Sequence, residues 1–221
     1  MKTIAIVGAG PGLGLSIAKK FGAQQFNVVL IARNTGKLSA MVEELSALNI
    51  QAKYYVADIR KSSQLQQALC AAKQDVGGID VLEFSPNAGP ESFIHTLDIT
   101  PENVMEPING FLLPAIQCVN EVLPEMQEKG EGAILFTTGI SAFYPIPAIG
   151  NAGIAKSGLR NYLTNLHNIL KGQGVYVGHL SVGAFIAPGT EGDPDLIAEA
   201  WYDLYRKKAP FEATFPRDMN F

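Results

Sequence analysis

Six short runs, apolar nearly throughout, recur along this chain and are separated by stretches of helical period. TIAIVG (residues 3–8), NVVLIAR (27–33), QAKYYVAD (51–58), IDVLEF (79–84), GAILFTT (132–138) and GVYVGHLSV (174–182) read as strands. Between them, LGLSIAKKFGAQQ, KLSAMVEELSAL and SSQLQQALCAAKQD carry apolar residues at helical spacing. Longer helical segments run from about 107 to 128 and from about 151 to 171, and a last one from about 194 to 208. A strand that is apolar on both sides must be covered on both faces, and helices between such strands make the connections crossovers. The expected fold is therefore α/β, a Rossmann-type doubly wound parallel sheet with helices on both faces. We see no internal repeat or linker, and read residues 1–221 as a single domain.

Composition narrows the partners. Apolar residues make up 47% of the chain and charged residues 17%, which suits a large core and argues against disorder. The net charge is -4 with no basic block, so no nucleic acid is expected. The opening MKTIAIVGAG is too short and glycine-rich for a signal peptide or a membrane span, so a cytoplasmic location without membrane association is expected. Cys70 and Cys118 stand alone on helical stretches, and His95, His167 and His179 have no ligand spacing, so no metal site is expected.

The first strand runs into VGAGPGLGLSIA, with Gly8, Gly10, Gly12 and Gly14 around Pro11 and Leu13. A glycine loop between strand and helix lets the backbone approach a pyrophosphate and aims a helix N-terminus at it. The second strand ends in IARNTGK, where an acid would hold both ribose hydroxyls of NAD. Arg33 stands there instead, followed by Asn34 and with Lys37 close behind, and a guanidinium grips a 2'-phosphate. NADP(H) is the expected cofactor.

The glycines at Gly8, Gly12 and Gly14 are spaced as in the short-chain dehydrogenase/reductase family, which the chain resembles over nearly its whole length. ADI (57–59) is similar to the family's adenine-binding turn, which gives Asp58 and Ile59 that role. PNAG (86–89) is similar to its NNAG turn, with Pro86 in place of the first asparagine, and implies Asn87, Ala88 and Gly89 at the cofactor. VGAFI (182–186) resembles its PG-x-I turn without the proline and implies Phe185 and Ile186 there.

In the family a tyrosine protonates the reduced substrate, a lysine four residues later assists it and holds the nicotinamide ribose, a serine holds the substrate oxygen, and an asparagine completes a relay. Aligned without gaps, the serine position falls on Gly139, the tyrosine on Ala152 and the asparagine on Phe111, with Asn109 two residues away and eligible only through a local insertion in the helix. Lys156 is kept. Ser141 and Tyr144, in the turn after the fifth strand, are the neighbours that offer hydroxyls, so the candidate catalytic residues are Lys156, Tyr144 and Ser141. Thr138 should point to the opposite face of its strand, and Tyr162 to the wrong side of its helix. The resemblance implies an NADP(H)-dependent oxidoreductase of unknown small-molecule substrate with a reduced catalytic site. The alternative is an inactive NADPH-binding sensor or regulatory protein. The resemblance places the short, polar segment APGTEGDPD after VGAFI where the family has its lid, and implies that the two long helices pair between subunits in a homodimer or homotetramer.

Overall fold

A computed structural model describes residues 1–217 other than Ala88, together with the backbone but not the side chain of Pro90. The strands are β1 (Thr3–Val7), β2 (Asn27–Ala32), β3 (Ala52–Val56), β4 (Val81–Phe84), β5 (Gly132–Gly139), β6 (Val175–Val182) and β7 (Glu212–Phe215). They form one sheet in the order β3-β2-β1-β4-β5-β6-β7, and every pairing is parallel. The helices are α1 (Leu13–Gly22), α2 (Thr35–Ala47), α3 (Ser62–Val76), α4 (Met105–Pro107), α5 (Leu113–Lys129), α6 (Gly150–Leu170) and α7 (Pro194–Lys207).

Two cores sandwich the sheet, as both-sided apolar strands require. Ala5, Val7, Phe84, Ile134 and Phe136 pack with α3, α5 and α6, while Ile4, Ile6, Val81 and Leu135 pack with α1, α2 and α7. The edge strand β3 is exposed along most of its length, so its YY pair covers the sheet without being sealed beneath a helix. β7 was not foreseen. It lies between Pro210 and Pro216 and closes the far edge against β6.

The long helix expected over 107 to 128 is broken in character. α4 passes into a π-helical turn at Ile108–Leu112 before α5 begins. Pro114 explains the widening: it has no N–H to give the preceding turn, and its ring crowds the carbonyl four residues back. The widened turn settles which side chain faces inward. Phe111 is buried and Asn109 is exposed.

Candidate active site and cofactor crevice

The sheet order reverses between β1 and β4, and the loops leaving these strands frame a crevice. Gly8 turns the chain there with φ +87, and a Cβ on it would fall 2.5 Å from the Pro86 Cα. Both the left-handed backbone and the closeness of the β4 exit therefore demand glycine. The N–H groups of Gly8 and Ala9 both donate to the Ile31 carbonyl, at 2.9 and 3.2 Å. Beyond them, Gly10 and Gly12 meet nothing within 4 Å of a built Cβ, and Pro11 is exposed. Leu13 opens α1, and Gly14 lets the helix rest on Ala9, whose Cα would be 3.0 Å from its Cβ. Gly12 caps α1 with no side-chain bond, and the first turn has no acid. The amides at that end are open to an anion on an unobstructed surface, which fits a dinucleotide pyrophosphate.

The other implied cofactor contacts sit on the loops at the same edge. Arg33 is exposed at the end of β2, and Asn34 caps α2 by accepting from the Lys37 N–H at 2.9 Å. Asp58 and Ile59 form the turn after β3. The Asp58 carboxylate accepts from the Arg60 N–H at 3.1 Å, and Arg60 pairs with Glu106 at 2.9 Å. Asn87 is exposed and Gly89 half-buried after β4, while Ala88 lies outside the described residues. Past β6, Phe185 and Ile186 are exposed, and Ile186 bridges Gly192 to fold the segment after VGAFI back on itself.

The reaction side lies at the end of β5. Lys156 reaches from α6 until its Nζ is 2.9 Å from where a Cβ on Gly139 would stand. The same Nζ is 5.4 Å from the centre of the Phe111 ring and 5.9 Å from that of Phe93. Burial lowers the Lys156 pKa, and no other cause contributes. Ala152, one turn earlier, is buried. Ser141 lies in a short 3-10 turn and is only 3% exposed, and its hydroxyl has no hydrogen-bond partner among the described residues. Tyr144 is 43% exposed at the rim. Thr138 does face the opposite side from Gly139, and Tyr162 packs into the core beneath α6.

Three clusters went unnoticed in the sequence. Thr138 Oγ1 lies 2.7 Å from His179 Nε2, His179 Nδ1 lies 2.9 Å from Glu212, and Phe143 stacks on the imidazole. Arg160, one turn beyond Lys156, completes this group by binding Glu212 and covering Phe143. Glu83, fully buried on β4, accepts from Ser85 and Thr137 at 2.9 Å each, and Thr137 accepts from the Trp201 indole. Burial pushes the Glu83 carboxyl up to about 8, against the downward pull of its two hydroxyl donors. Asn151 ties the loop bearing Phe93 to the start of α6. A glutamate inside the apolar run IDVLEF was the one local signal; the other clusters join residues far apart in the chain.

A family model described as short chain dehydrogenase matches residues 2–193. An uncharacterized oxidoreductase of Staphylococcus epidermidis is 27% identical over 191 residues, spanning 86% of this chain and 81% of that protein. The crystal structure of a short-chain dehydrogenase from Rhodopseudomonas palustris superposes with a TM-score of 0.85 at 26% identity, covering 100% of this chain and 99% of the other. L-sorbose reductase of Gluconobacter frateurii, solved with NADPH and L-sorbose, shares the fold at 18% identity, with a TM-score of 0.87 and coverage of 97% and 94%. Together with the parallel sheet and the glycine loop, these matches establish that the chain belongs to the short-chain dehydrogenase/reductase family of oxidoreductases.

Proposed function

We propose that this protein is an NADP(H)-dependent reductase of activated small-molecule acceptors, working without the tyrosine acid that the family resemblance leads one to expect. The observation that carries the cofactor choice is the end of β2. There an exposed Arg33 stands beside the N-terminus of α2, with Lys37 on its first turn and no carboxylate to repel a 2'-phosphate. The open amides around Gly12 would hold the pyrophosphate, Asp58 and Ile59 the adenine, Asn87 and Gly89 the nicotinamide half, and Lys156 the ribose hydroxyls. Bound there, the reduced nicotinamide supplies a hydride. Gly139, Ala152 and Phe111 present no hydroxyl or amide to the reacting oxygen, so acceptors that need little acid help are favoured: quinones, 1,2-diketones and enones. Exposed Leu113, Ile154 and Ile169 on α5 and α6 support pairing of these helices between subunits.

Calorimetric titration tests the reading. NADPH should bind at least about tenfold more tightly than NADH, a difference of about 1.4 kcal/mol. Arg33→Asp should narrow or reverse that preference, and equal affinities in the parent would defeat the assignment. Consumption of NADPH with a quinone, diketone or enone panel then separates a reductase from a protein that only binds the cofactor.

A further inference from the structure

We infer that the Lys156 ammonium is itself the acid of this site, delivering a proton to the oxygen of an activated carbonyl substrate. The inference rests on the reductase reading above and assigns the proton step within it. Position is the first ground. With Nζ 2.9 Å from a would-be Cβ on Gly139, the ammonium stands where a serine side chain at that position would begin. A side chain at 139 would press on Nζ and make the flexible end of Lys156 shift, so Gly139 leaves the ammonium room to stand forward. The second ground is what has been cleared away. Ala152 ends at a methyl group, and the rings of Phe111 and Phe93 flank Nζ without offering a proton. Third, Nζ has no hydrogen bond or ion pair among the described residues. An ammonium carries three N–H donors; two suffice for ribose hydroxyls, and one is left for a substrate oxygen.

The surroundings suit an acid. From β5 Lys156 faces Gly139, from the π-helical turn Phe111, and from the loop after β4 Phe93. Arg160, on its own helix, is committed to Glu212, and Glu91 folds its carboxylate over Gly89. With no carboxylate holding the charge, burial makes the ammonium a readier donor than a surface lysine. As the carbonyl carbon accepts a hydride from NADPH, its π pair moves to oxygen, and that oxygen takes one proton from Lys156. The nitrogen keeps the N–H bonding pair as a neutral amine and recovers a proton from water; alcohol and NADP+ leave.

The test begins with the cofactor-free chain. Trace acetylation with acetic anhydride, from about pH 6 to about pH 11, reports the free-amine fraction of each lysine by peptide mass. Lys156 should half-react at lower pH than exposed Lys37 and Lys61, and added NADPH should shield it. Reduction of a 1,2-diketone by NADPH should then fall as pH rises through that midpoint, because the donor must be protonated. Lys156→Arg keeps charge and donors but holds its protons. It should bind NADPH within about threefold of the parent yet turn over about 10²- to 10⁴-fold more slowly. Lys156→Met, checked for an unchanged melting temperature, should lose as much. Labelling of Lys156 in step with Lys37 overturns the proposal without reference to turnover. A Lys156→Arg protein that reduces the diketone at the parent rate overturns it and leaves the reductase reading standing. A parent that binds NADPH and reduces no member of the panel overturns both.

Discussion

Arg160 grips Glu212 with two parallel hydrogen bonds, Nε and Nη2 each 2.7 Å from a carboxylate oxygen, and so fastens α6 to the last strand of the sheet. The same carboxylate orients His179, which in turn faces Thr138, the residue before Gly139. Burial pushes the Glu212 carboxyl up, but the bonds from His179 and Arg160 outweigh it and hold it down at about 2. A folded-state pKa below the unfolded value contributes stability that is present above about pH 4.5 and lost as pH falls through about 2. With solvent touching one side of the pair, removing it should cost about 2 kcal/mol. Glu212→Gln should therefore melt roughly 4–8 °C below the parent at neutral pH, given about 2–4 °C per kcal/mol for a chain of this size. The gap should close on acidification below about pH 4. A gap that stays constant into acid would show that the carboxylate charge contributes nothing.

Glu83 should have the opposite pH signature. Its carboxyl is fully buried and neutral in the folded chain up to about pH 8, while in the unfolded chain it ionises near 4.5. The folded state then holds a proton that the unfolded state has lost, and this contribution to stability drains away between those two values, at about 1.4 kcal/mol per pH unit. Glu83→Gln cannot ionise and should be free of that slope. Denaturant unfolding of both proteins from about pH 5 to about pH 9 checks it. The variant should gain on the parent steadily up to about pH 8 and then run parallel; parallel curves throughout would place the carboxylate in water.

Most of the strands that sequence alone disclosed are buried on both faces; β3, exposed along most of its length, is the exception. Ile4–Val7 and Val28–Ile31 have almost no exposed surface, and nothing but an apolar run can occupy such a position. β7 stayed hidden for the converse reason: four half-buried residues between two prolines carry no period to detect. Counting residues through 107 to 128 placed Phe111 at the asparagine position, yet only the π-helical turn forced by Pro114 decides that Phe111 faces Lys156 while Asn109 faces solvent. Cofactor-side residues were legible because loop and ligand chemistry coincide in short stretches such as VGAGPGLG. The Thr138–His179–Glu212 group was not, because its members are 41 and 33 residues apart and meet only through strand register.

Asn151 is the last place where one side chain governs the site. It is fully buried at the start of α6. Its Nδ2 donates to the Ser92 carbonyl at 2.8 Å, and its Oδ1 accepts from the N–H groups of Ile94 and Ala152, at 2.9 Å each. Ser92 and Ile94 flank Phe93, whose ring covers Lys156, so this one amide holds the wall of the proton-donating site in place. Asn151→Ala would strand a carbonyl and two N–H groups, each costing about 1–3 kcal/mol if it stays out of water. The loop should answer by opening rather than by staying buried and unpaired. Amide hydrogen exchange at Ile94 should then speed up by at least about tenfold, with β1 and β5 unaffected, because a local opening leaves the core closed. Asn151→Asp keeps the size and the acceptor but loses the donor to Ser92 and sets a charge in its place, so it should open the same loop. Unchanged exchange at Ile94 in both variants would show that Phe93 is held by its own packing.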